Sequence, residues 1–277
     1  MLLMNDRFVP KKEASVSYLD RGYVFGDGVY EVIRVYGGRM FEPEAHYRRL
    51  ERSAAALKLS LPFPTAQLDA KLRELLLRES VRDGTVYVQI TRGVAPRAHA
   101  FPRDAEPVLI AYCTEVARPL AAIRNGIKTV TAPDIRWLRC DIKTINLLPN
   151  VMAKQEALER GADDAIFHRD GVVTECTAAN LMMVRGGVIY THPANHLILH
   201  GVTRSVVLEL ARAVGVPVRE QTFTLDELAR ADELFATGTT AEITPILEVD
   251  GRPVGDGRPG PVTRKLQDAF ERRVGLE

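Results

Sequence analysis

Four short runs rich in aliphatic residues follow one another in the second half of the sequence. Arg169-Asp170-Gly171 separates the first two runs and Arg185-Gly186-Gly187 separates the last two. Both tripeptides suit tight hairpin turns, and short apolar runs bounded by such turns are typical of antiparallel strands. We therefore predict strands at 165–168, 172–175, 181–184 and 188–190.

The first half alternates between strand-like and helix-like stretches. Pro43 stands where the first residue of a helix tolerates proline. An apolar stripe with helical spacing follows it, made of Tyr47, Leu50, Ala54 and Leu57. The other elements predicted for this half are a helix at 68–78 and strands at 2–9, 28–36, 85–92 and 108–116.

A break in this pattern at Arg118-Pro119 divides the chain. The length of 277 residues suits two domains or one large one, and with this break we predict two, at 1–118 and 119–277. The second domain would begin with a strand at 127–132 and contain helices at 151–160, 203–214 and 262–273. A Gly- and Pro-rich exposed hairpin is expected at 251–261, before the last helix.

The composition excludes several classes of protein. Hydrophobic residues make up 46% of the chain and charged residues 26%, which excludes a disordered or collagen-like protein. Lys and Arg together number 37 against 36 acidic residues, so no overall field attracts nucleic acid or an anionic membrane. The chain has three cysteines, Cys113, Cys140 and Cys176. Because their number is odd and their spacing does not suit a metal, we predict buried, unreactive thiols.

The apolar runs also bear on where the protein works. None approaches the ~20 residues that a membrane helix needs. The segment Met1-Leu2-Leu3-Met4 meets Asn5 and Asp6 too early for a signal peptide. We therefore expect a cytoplasmic protein.

Lys143 is the most unusual charged residue, because apolar residues alternate with it and its close successors are uncharged. If it is buried, desolvation lowers its pKa, and the neutral amine can then attack an aldehyde to form a Schiff base. A lysine that extends to the surface explains the same pattern. From the residues alone, the surface lysine is the simpler interpretation.

Two segments suit a phosphate group. Gly201 precedes an apolar periodic stretch, so the amides of Val202 and Thr203 should form a helix N-terminus with unsatisfied donors. The segment Thr237-Gly238-Thr239-Thr240 forms a glycine- and hydroxyl-rich turn. An ordinary capped helix and an ordinary turn remain equally good explanations.

Other candidate residues allow two interpretations each. Arg97-Ala98-His99 lies between Pro96 and Pro102, in a loop that either binds a carboxylate or is merely solvated. Glu175 is either a strand-end carboxylate or the partner of a protonated ring nitrogen.

Three histidines are spaced by four residues, as metal ligands on one helix face would be. Pro193 and the apolar run 197–199 argue against a helix there. We therefore expect no metal at His192, His196 and His200.

Several of these segments occur in the order and at the spacing of one known family. They are 25–31 (Phe-Gly-Asp-Gly-Val-Tyr-Glu), Thr91-Arg92-Gly93 with Pro96-Arg97-Ala98-His99, 137–143 (Trp-Leu-Arg-Cys-Asp-Ile-Lys) and Thr174-Glu175. From about residue 20 onward the sequence resembles the class IV aminotransferases, which use pyridoxal 5′-phosphate, and among them the bacterial D-amino-acid aminotransferases. The resemblance implies an α/β (α+β) protein of fold type IV, with a smaller N-terminal α/β domain and a larger C-terminal domain containing a barrel-like sheet.

The resemblance also implies a role for each matching residue. Lys143 would hold the cofactor as a Schiff base and, once displaced by the substrate amine, would move the proton of the substrate Cα. Glu175 would keep the pyridine nitrogen protonated. The phosphate would be bound by Arg49, Val202, Thr203, Thr239 and Thr240. Without the resemblance, Arg49 would be taken as part of a solvated charged face at 48–52.

Tyr30, Arg97 and His99 resemble the family's trap for the substrate carboxylate, in which the arginine and histidine come from the second subunit of a homodimer. Strand alternation places Val32 and Arg34 on the same face as Tyr30, so we expect both to line the substrate side-chain pocket. Arg34 would favour acidic substrates. The implied activity is ping-pong transfer of an amino group from a D-amino acid such as D-alanine to 2-oxoglutarate, giving D-glutamate.

Two related activities remain as alternatives, a branched-chain L-amino-acid aminotransferase and an aminodeoxychorismate lyase. The pair of Arg97 and His99 speaks against both. One segment departs from the family, since Cys176-Thr177-Ala178-Ala179 replaces a glycine and a serine-rich run. Fewer hydroxyls are then available near the cofactor ring, which affects substrate range and rate.

Overall fold

The computed structural model describes residues 1–276, which form two compact units. The N-terminal unit comprises Met1–Arg118 and Ile142–Asn146. The C-terminal unit comprises Pro119–Asp141 and the chain from Leu147 onward. The short segment that contains Lys143 therefore folds with the N-terminal unit, although the residues on both sides of it belong to the other unit.

The N-terminal unit is an antiparallel sheet with helices on one face. Its helices are α1 (Arg21–Phe25), α2 (Pro43–Ala56) and α3 (Thr65–Glu79), and a single 3₁₀ turn lies at Lys11–Glu13. Its strands are β1 (Leu2–Met4), β2 (Arg7–Val9), β3 (Gly28–Tyr36), β4 (Arg39–Met40), β5 (Gly84–Thr91) and β6 (Val108–Glu115). Hydrogen bonding orders these six strands as β2-β1-β6-β5-β3-β4.

Alternation along β3 separates a core face from a second, more polar face. Val29, Ile33 and Val35 are fully buried and join the core formed with α2 and α3. The predicted stripe on α2 contributes Tyr47, Leu50 and Ala54 to the same core, as expected for a helix that packs on a sheet. The opposite face of β3 carries the candidate substrate residues.

The predicted elements of this unit are confirmed with one correction. The strand expected at 2–9 is wrong, because β1 and β2 form a hairpin. Asn5 adopts a φ of 52° at the turn, a conformation that asparagine tolerates better than most residues. The short helix α1 was not predicted.

The C-terminal unit combines one mixed sheet with five helices among its described residues. Its helices are α4 (Leu120–Asn125), α5 (Leu148–Glu159), α6 (Val202–Ala213), α7 (Leu225–Leu228) and α8 (Pro261–Val274). Its strands are β7 (Ile127–Pro133), β8 (Asp164–Arg169), β9 (Val172–Cys176), β10 (Asn180–Arg185), β11 (Val188–Thr191), β12 (Val218–Glu220), β13 (Glu233–Gly238), β14 (Glu242–Val249) and β15 (Arg252–Pro253). The order is β12-β11-β10-β13-β14-β7-β8-β9, with β15 added beside β14.

This sheet curls so that β9, at its end, also contacts β10. The curl agrees with the expected barrel-like sheet. Both predicted hairpins are confirmed, since β8 pairs with β9 and β10 with β11 in antiparallel fashion. Two features were not predicted. One is the parallel pairing of β7 with β14 and with β8. The other is the presence of strands β12, β13 and β14.

Two further observations concern the whole described chain. No helix in residues 1–276 is both long and apolar enough to cross a membrane. All three cysteines are free and buried, as expected.

Candidate active site

Lys143 lies in a short segment whose backbone amide and carbonyl are both hydrogen-bonded. The amide of Tyr30 donates to the Lys143 carbonyl at 3.1 Å, and the Lys143 amide donates to Ser53 Oγ at 3.1 Å. The side chain is half-buried, with Nζ 4.3 Å from the centroid of the Tyr30 ring. Lys143 and Tyr30, two predicted site residues far apart in sequence, are therefore neighbours, and the amine is less enclosed than expected.

Arg49 points inward from α2 and is buried, so the interpretation of 48–52 as a wholly solvated face is wrong for this residue. Its Nε donates to Glu31 Oε1 and its Nη2 to Glu31 Oε2, each at 2.7 Å, while His46 Nδ1 lies 2.7 Å from Glu31 Oε2. Burial raises the pKa of Glu31, but the charge and hydrogen bonds of Arg49, with those of His46, lower it to about 2. The ionised Glu31 thus fixes the orientation of the guanidinium.

The side of β3 opposite the core carries the three residues predicted to meet the substrate. Tyr30 stacks on Tyr87 with ring centroids 5.8 Å apart, and Val32 is half-buried beside it. Arg34 is only 1% exposed, and none of its three guanidinium nitrogens has a hydrogen-bond partner among residues 1–276. A buried cation without an anion is costly, which marks Arg34 as a group that can bind one.

Arg97 and His99 lie exposed on the loop between β5 and β6. Both approach the ring of Phe25, the Arg97 guanidinium at 5.2 Å and the His99 ring at 5.7 Å between centroids. Within the described chain, neither side chain has a hydrogen bond or ring contact with Tyr30 or Lys143. The structure therefore groups Arg97 and His99 with each other and not with the lysine.

Glu175 is the penultimate residue of β9 in the C-terminal unit and is surrounded by hydrogen-bond donors. Arg136 Nη1 donates to it at 2.6 Å, Asn180 Nδ2 at 2.8 Å and the Leu199 amide to both oxygens at 3.1 Å. Burial raises the pKa of Glu175, and the neighbouring Arg136 acts against that rise. Because each of these hydrogen-bond partners donates, they stabilise the carboxylate form against the effect of burial.

The two predicted phosphate segments also belong to the C-terminal unit. Helix α6 begins at Val202 after Gly201, and no side chain caps its first amides. A Cβ added to Gly201 would lie 2.0 Å from Asn180 Oδ1, so glycine is required at this helix start. The turn between β13 and β14 contains Thr239 and Thr240, and the buried Thr237 Oγ1 next to it has no partner among the described residues.

The chemical groups of these residues fit pyridoxal phosphate. The N-terminal unit offers an accessible amine at Lys143, which suits the cofactor's aldehyde. The C-terminal unit offers a buried carboxylate at Glu175, which suits a protonated ring nitrogen. It also offers uncapped helix amides at Val202 and an unpartnered hydroxyl at Thr237, which suit an anion.

Sequence reasoning missed Arg136 and Asn180, both of which hold Glu175. Arg136 also pairs with Asp134, from Nη2 to Oδ2 at 2.8 Å. Neither residue has a distinctive sequence context, and no local signal could have identified them. Residues 1–276 contain no group of three or more His, Cys, Asp or Glu side chains that could hold a metal ion.

Known proteins resemble this chain in sequence and in fold. A sequence model described as amino-transferase class IV matches residues 28–249. The chain is 47% identical to a D-alanine aminotransferase of Staphylococcus aureus over 274 residues, 99% of this chain and 97% of the relative. It is 46% identical to a D-alanine aminotransferase of Bacillus licheniformis, again over 99% of this chain and 96% of the relative.

Solved structures show the same fold. The branched-chain amino acid aminotransferase of Escherichia coli superposes with a TM-score of 0.92 at 28% identity, covering 97% of this chain and 92% of that one. The branched-chain amino acid aminotransferase of Thermobaculum terrenum in its PLP form gives 0.89 at 29% identity, covering 100% and 94%. The chain therefore belongs to the class IV aminotransferases and is a pyridoxal-phosphate-dependent aminotransferase of fold type IV.

Proposed function

We propose that the protein is a D-amino-acid transaminase. It would take the amino group of a D-amino acid such as D-alanine and pass it to 2-oxoglutarate, giving a 2-oxo acid and D-glutamate. The proposal rests on the position of Lys143 Nζ, 4.3 Å from the centroid of the Tyr30 ring. The strand face that bears Tyr30 also bears Arg34, whose guanidinium has no hydrogen-bond partner in the described chain. The relatives named as D-alanine aminotransferases support the choice of substrate.

When bound, pyridoxal phosphate supplies an aldehyde that captures amines and an electron-poor ring that stabilises negative charge on the substrate Cα. Lys143 would hold it covalently until the substrate amine displaces the lysine. The freed amine of Lys143 would then take the proton from the substrate Cα. In the second half of the ping-pong cycle it would return a proton to the Cα of the new amino acid.

Other residues of the chain would bind and orient the cofactor. Glu175 would keep the ring nitrogen protonated, a role for which its surrounding donors prepare it by favouring the carboxylate. The amides of Val202 and Thr203, at the start of α6, would hold the phosphate through unsatisfied donors and the helix dipole. The remaining phosphate ligands would be Arg49, Thr239 and Thr240.

Tyr30, Arg97 and His99 would bind the substrate carboxylate. We propose a homodimer, in which Arg97 and His99 of one subunit serve the site of the other. Their separation from Tyr30 and Lys143 within one chain, and their exposure on a loop, support this arrangement. The position of the carboxylate decides which enantiomer presents its α-proton to the lysine, and this trap favours the D form.

Arg34 supports a dicarboxylic acceptor. Its buried guanidinium lies 5.3 Å from the centroid of the Tyr36 ring but has no hydrogen-bond partner in the described chain, and the distal carboxylate of 2-oxoglutarate or glutamate matches a bidentate arginine. Val32 lies between Tyr30 and Arg34 on the same strand face and would line the path of the substrate side chain. A short neutral side chain such as that of D-alanine would leave Arg34 unused.

The test is a substrate panel on the purified holoenzyme. We expect D-alanine and 2-oxoglutarate to give pyruvate and D-glutamate, measured by chiral chromatography and by coupled lactate dehydrogenase. Robust activity with L-leucine but none with D-alanine would favour a branched-chain enzyme and contradict the proposal. Release of pyruvate from aminodeoxychorismate without amino transfer would favour the lyase.

Two further measurements address single residues. Borohydride reduction followed by peptide mapping should place the pyridoxyl label on Lys143. Replacement of Arg97 by alanine should raise KM for amino acids while the cofactor stays bound. A cytoplasmic location also stays a prediction, which fractionation of the producing cells would check.

A further inference from the structure

A cluster of charged side chains around Asp27 lies at the base of the loop that carries Arg97 and His99. Asp27 Oδ2 accepts from Arg21 Nε and from Arg92 Nε, each at 2.8 Å, and Oδ1 accepts from Arg92 Nη2 at 3.0 Å. The side chains of Arg21 and Arg92 are 4% and 9% exposed. One carboxylate therefore holds two nearly buried guanidinium groups together.

Arg21 passes this constraint to the backbone of the loop. Its Nη1 donates to the carbonyl of Ala98 at 2.6 Å and, more weakly, to that of Ala100 at 3.4 Å. Its Nη2 donates to the carbonyl of His99 at 3.5 Å. One side chain thus donates hydrogen bonds to three consecutive carbonyls, which start directly after Arg97.

Arg92 fixes the same loop to the end of α2. It donates to the carbonyls of Lys58 at 2.9 Å and Leu57 at 2.8 Å. Its guanidinium also lies 3.7 Å from the centroid of the Phe101 ring, just beyond the gathered carbonyls. Asp27 is the common anion of both arginines, so the loop is held at two points through one carboxylate.

Phe25 aligns the two side chains that the loop presents. Its ring is approached by Arg97 and by His99, and Arg21 lies 4.8 Å from the same ring. Phe25 ends α1, whose start is capped by Asp20 and whose end is closed by Gly26 in the left-handed conformation. The ring therefore stands on a short but well-defined element.

We propose that Asp27, Arg21, Arg92 and Phe25 are positioning residues for substrate binding: they hold the loop so that Arg97 and His99 face the substrate carboxylate side by side. The inference rests on the proposed function of Arg97 and His99. A loop without helix or strand loses conformational freedom when it binds a ligand, and ordering it beforehand removes that cost. Loss of the Asp27 charge would leave two adjacent buried cations without their shared anion.

The test compares Asp27→Asn and Phe25→Leu with the wild-type holoenzyme. We expect KM for both D-alanine and 2-oxoglutarate to rise about tenfold in each variant, because both substrates carry an α-carboxylate. We expect kcat to change much less and the cofactor absorbance to stay as it is. Arg73→Met is the matched control, since it breaks the exposed pair of Arg73 with Asp69 in the same unit.

A second readout does not depend on activity. Trypsin should cleave after Arg97 several-fold faster in Asp27→Asn than in the wild type or Arg73→Met, as measured by mass spectrometry of the fragments. The conservative Asp27→Glu should restore part of both effects. If Asp27→Asn fails to retain the cofactor, the KM of Phe25→Leu tests the positioning role instead.

The outcomes separate this inference from the proposed function. If Arg97→Ala raises KM while Asp27→Asn and Phe25→Leu change neither KM nor cleavage, the positioning role is overturned and the carboxylate trap stands. If Arg97→Ala leaves KM unchanged, the trap is wrong and the positioning role is overturned with it.

Discussion

Arg136 Nη1 lies 2.6 Å from Glu175 Oε1, within an ion pair that is almost entirely buried. The arginine is itself held by Asp134, so its guanidinium has little freedom to turn away. Burial alone would favour a protonated Glu175, and Arg136 is the neighbouring charge that opposes this. The pair therefore bears directly on whether Glu175 can hold a protonated ring nitrogen.

Replacing Arg136 by methionine should weaken cofactor binding most strongly at low pH. The pKa of Glu175 is raised by burial, and loss of the arginine should raise it further, so the carboxylate takes up a proton at higher pH. We expect the acid limb, that is the pH range over which cofactor affinity falls on acidification, to move upward by about one pH unit or more. Absorbance titration of the apoenzyme with pyridoxal phosphate across pH measures this. Arg139→Met, which breaks an exposed pair with Asp141, is the control, and an unmoved limb in Arg136→Met would refute the role.

Replacing Arg34 by methionine should separate specificity from stability. A hydrogen-bonded charge pair contributes about 1.5–3 kcal/mol, so KM for 2-oxoglutarate should rise about 10- to 100-fold while KM for pyruvate stays unchanged. Because the guanidinium has no hydrogen-bond partner in residues 1–276, and methionine can replace its contact with the Tyr36 ring, the melting temperature of the ligand-free protein should not fall. Arg82→Met, at an exposed position, is the control. A lower melting temperature with unchanged KM would assign Arg34 a structural role.

Glu31 should make the N-terminal unit sensitive to acid. Its pKa falls from an ordinary 4.5 to about 2 because Arg49 and His46 outweigh the effect of burial. A lowered pKa in the folded state adds stability above the unfolded pKa, here on the order of 3 kcal/mol, and this is lost as the pH falls from about 5 towards 2. The difference in free energy of unfolding between wild type and Glu31→Gln should therefore shrink over that interval. Glu44→Gln, exposed on α2, should show no such trend, and a constant difference for Glu31→Gln would contradict the assignment.

The three thiols should be unreactive in the folded protein. Burial raises the pKa of Cys113 and of Cys140 to about 11, and that of Cys176 well above its ordinary value. Since the thiolate is the reactive form, reaction with Ellman's reagent at pH 8 should be about a hundredfold slower than after denaturation. Three equivalents should react in denaturant. One rapidly reacting thiol in the folded protein would show that a cysteine is less enclosed than described.

Local patterns predicted most elements well. The hairpins at Arg169-Asp170-Gly171 and Arg185-Gly186-Gly187, the strand β3 and the helix α2 all follow from periodicity and turn residues within a few positions of one another. The strand expected at 2–9 failed because β-rich composition does not reveal a two-residue turn. A local break in the pattern predicted a domain boundary near residue 119. No local pattern indicated that residues 142–146 fold with the N-terminal unit.

The sequence by itself determined the alternation of strands and helices, the face that Tyr30, Val32 and Arg34 share, and the family of the chain. These depend on side-chain periods and on motifs that are read along the backbone. Only the tertiary structure decided which charges meet. Arg136 and Glu175 are 39 residues apart and Arg21 and Ala98 are 77 apart, so their hydrogen bonds form only once distant strands and loops have packed together.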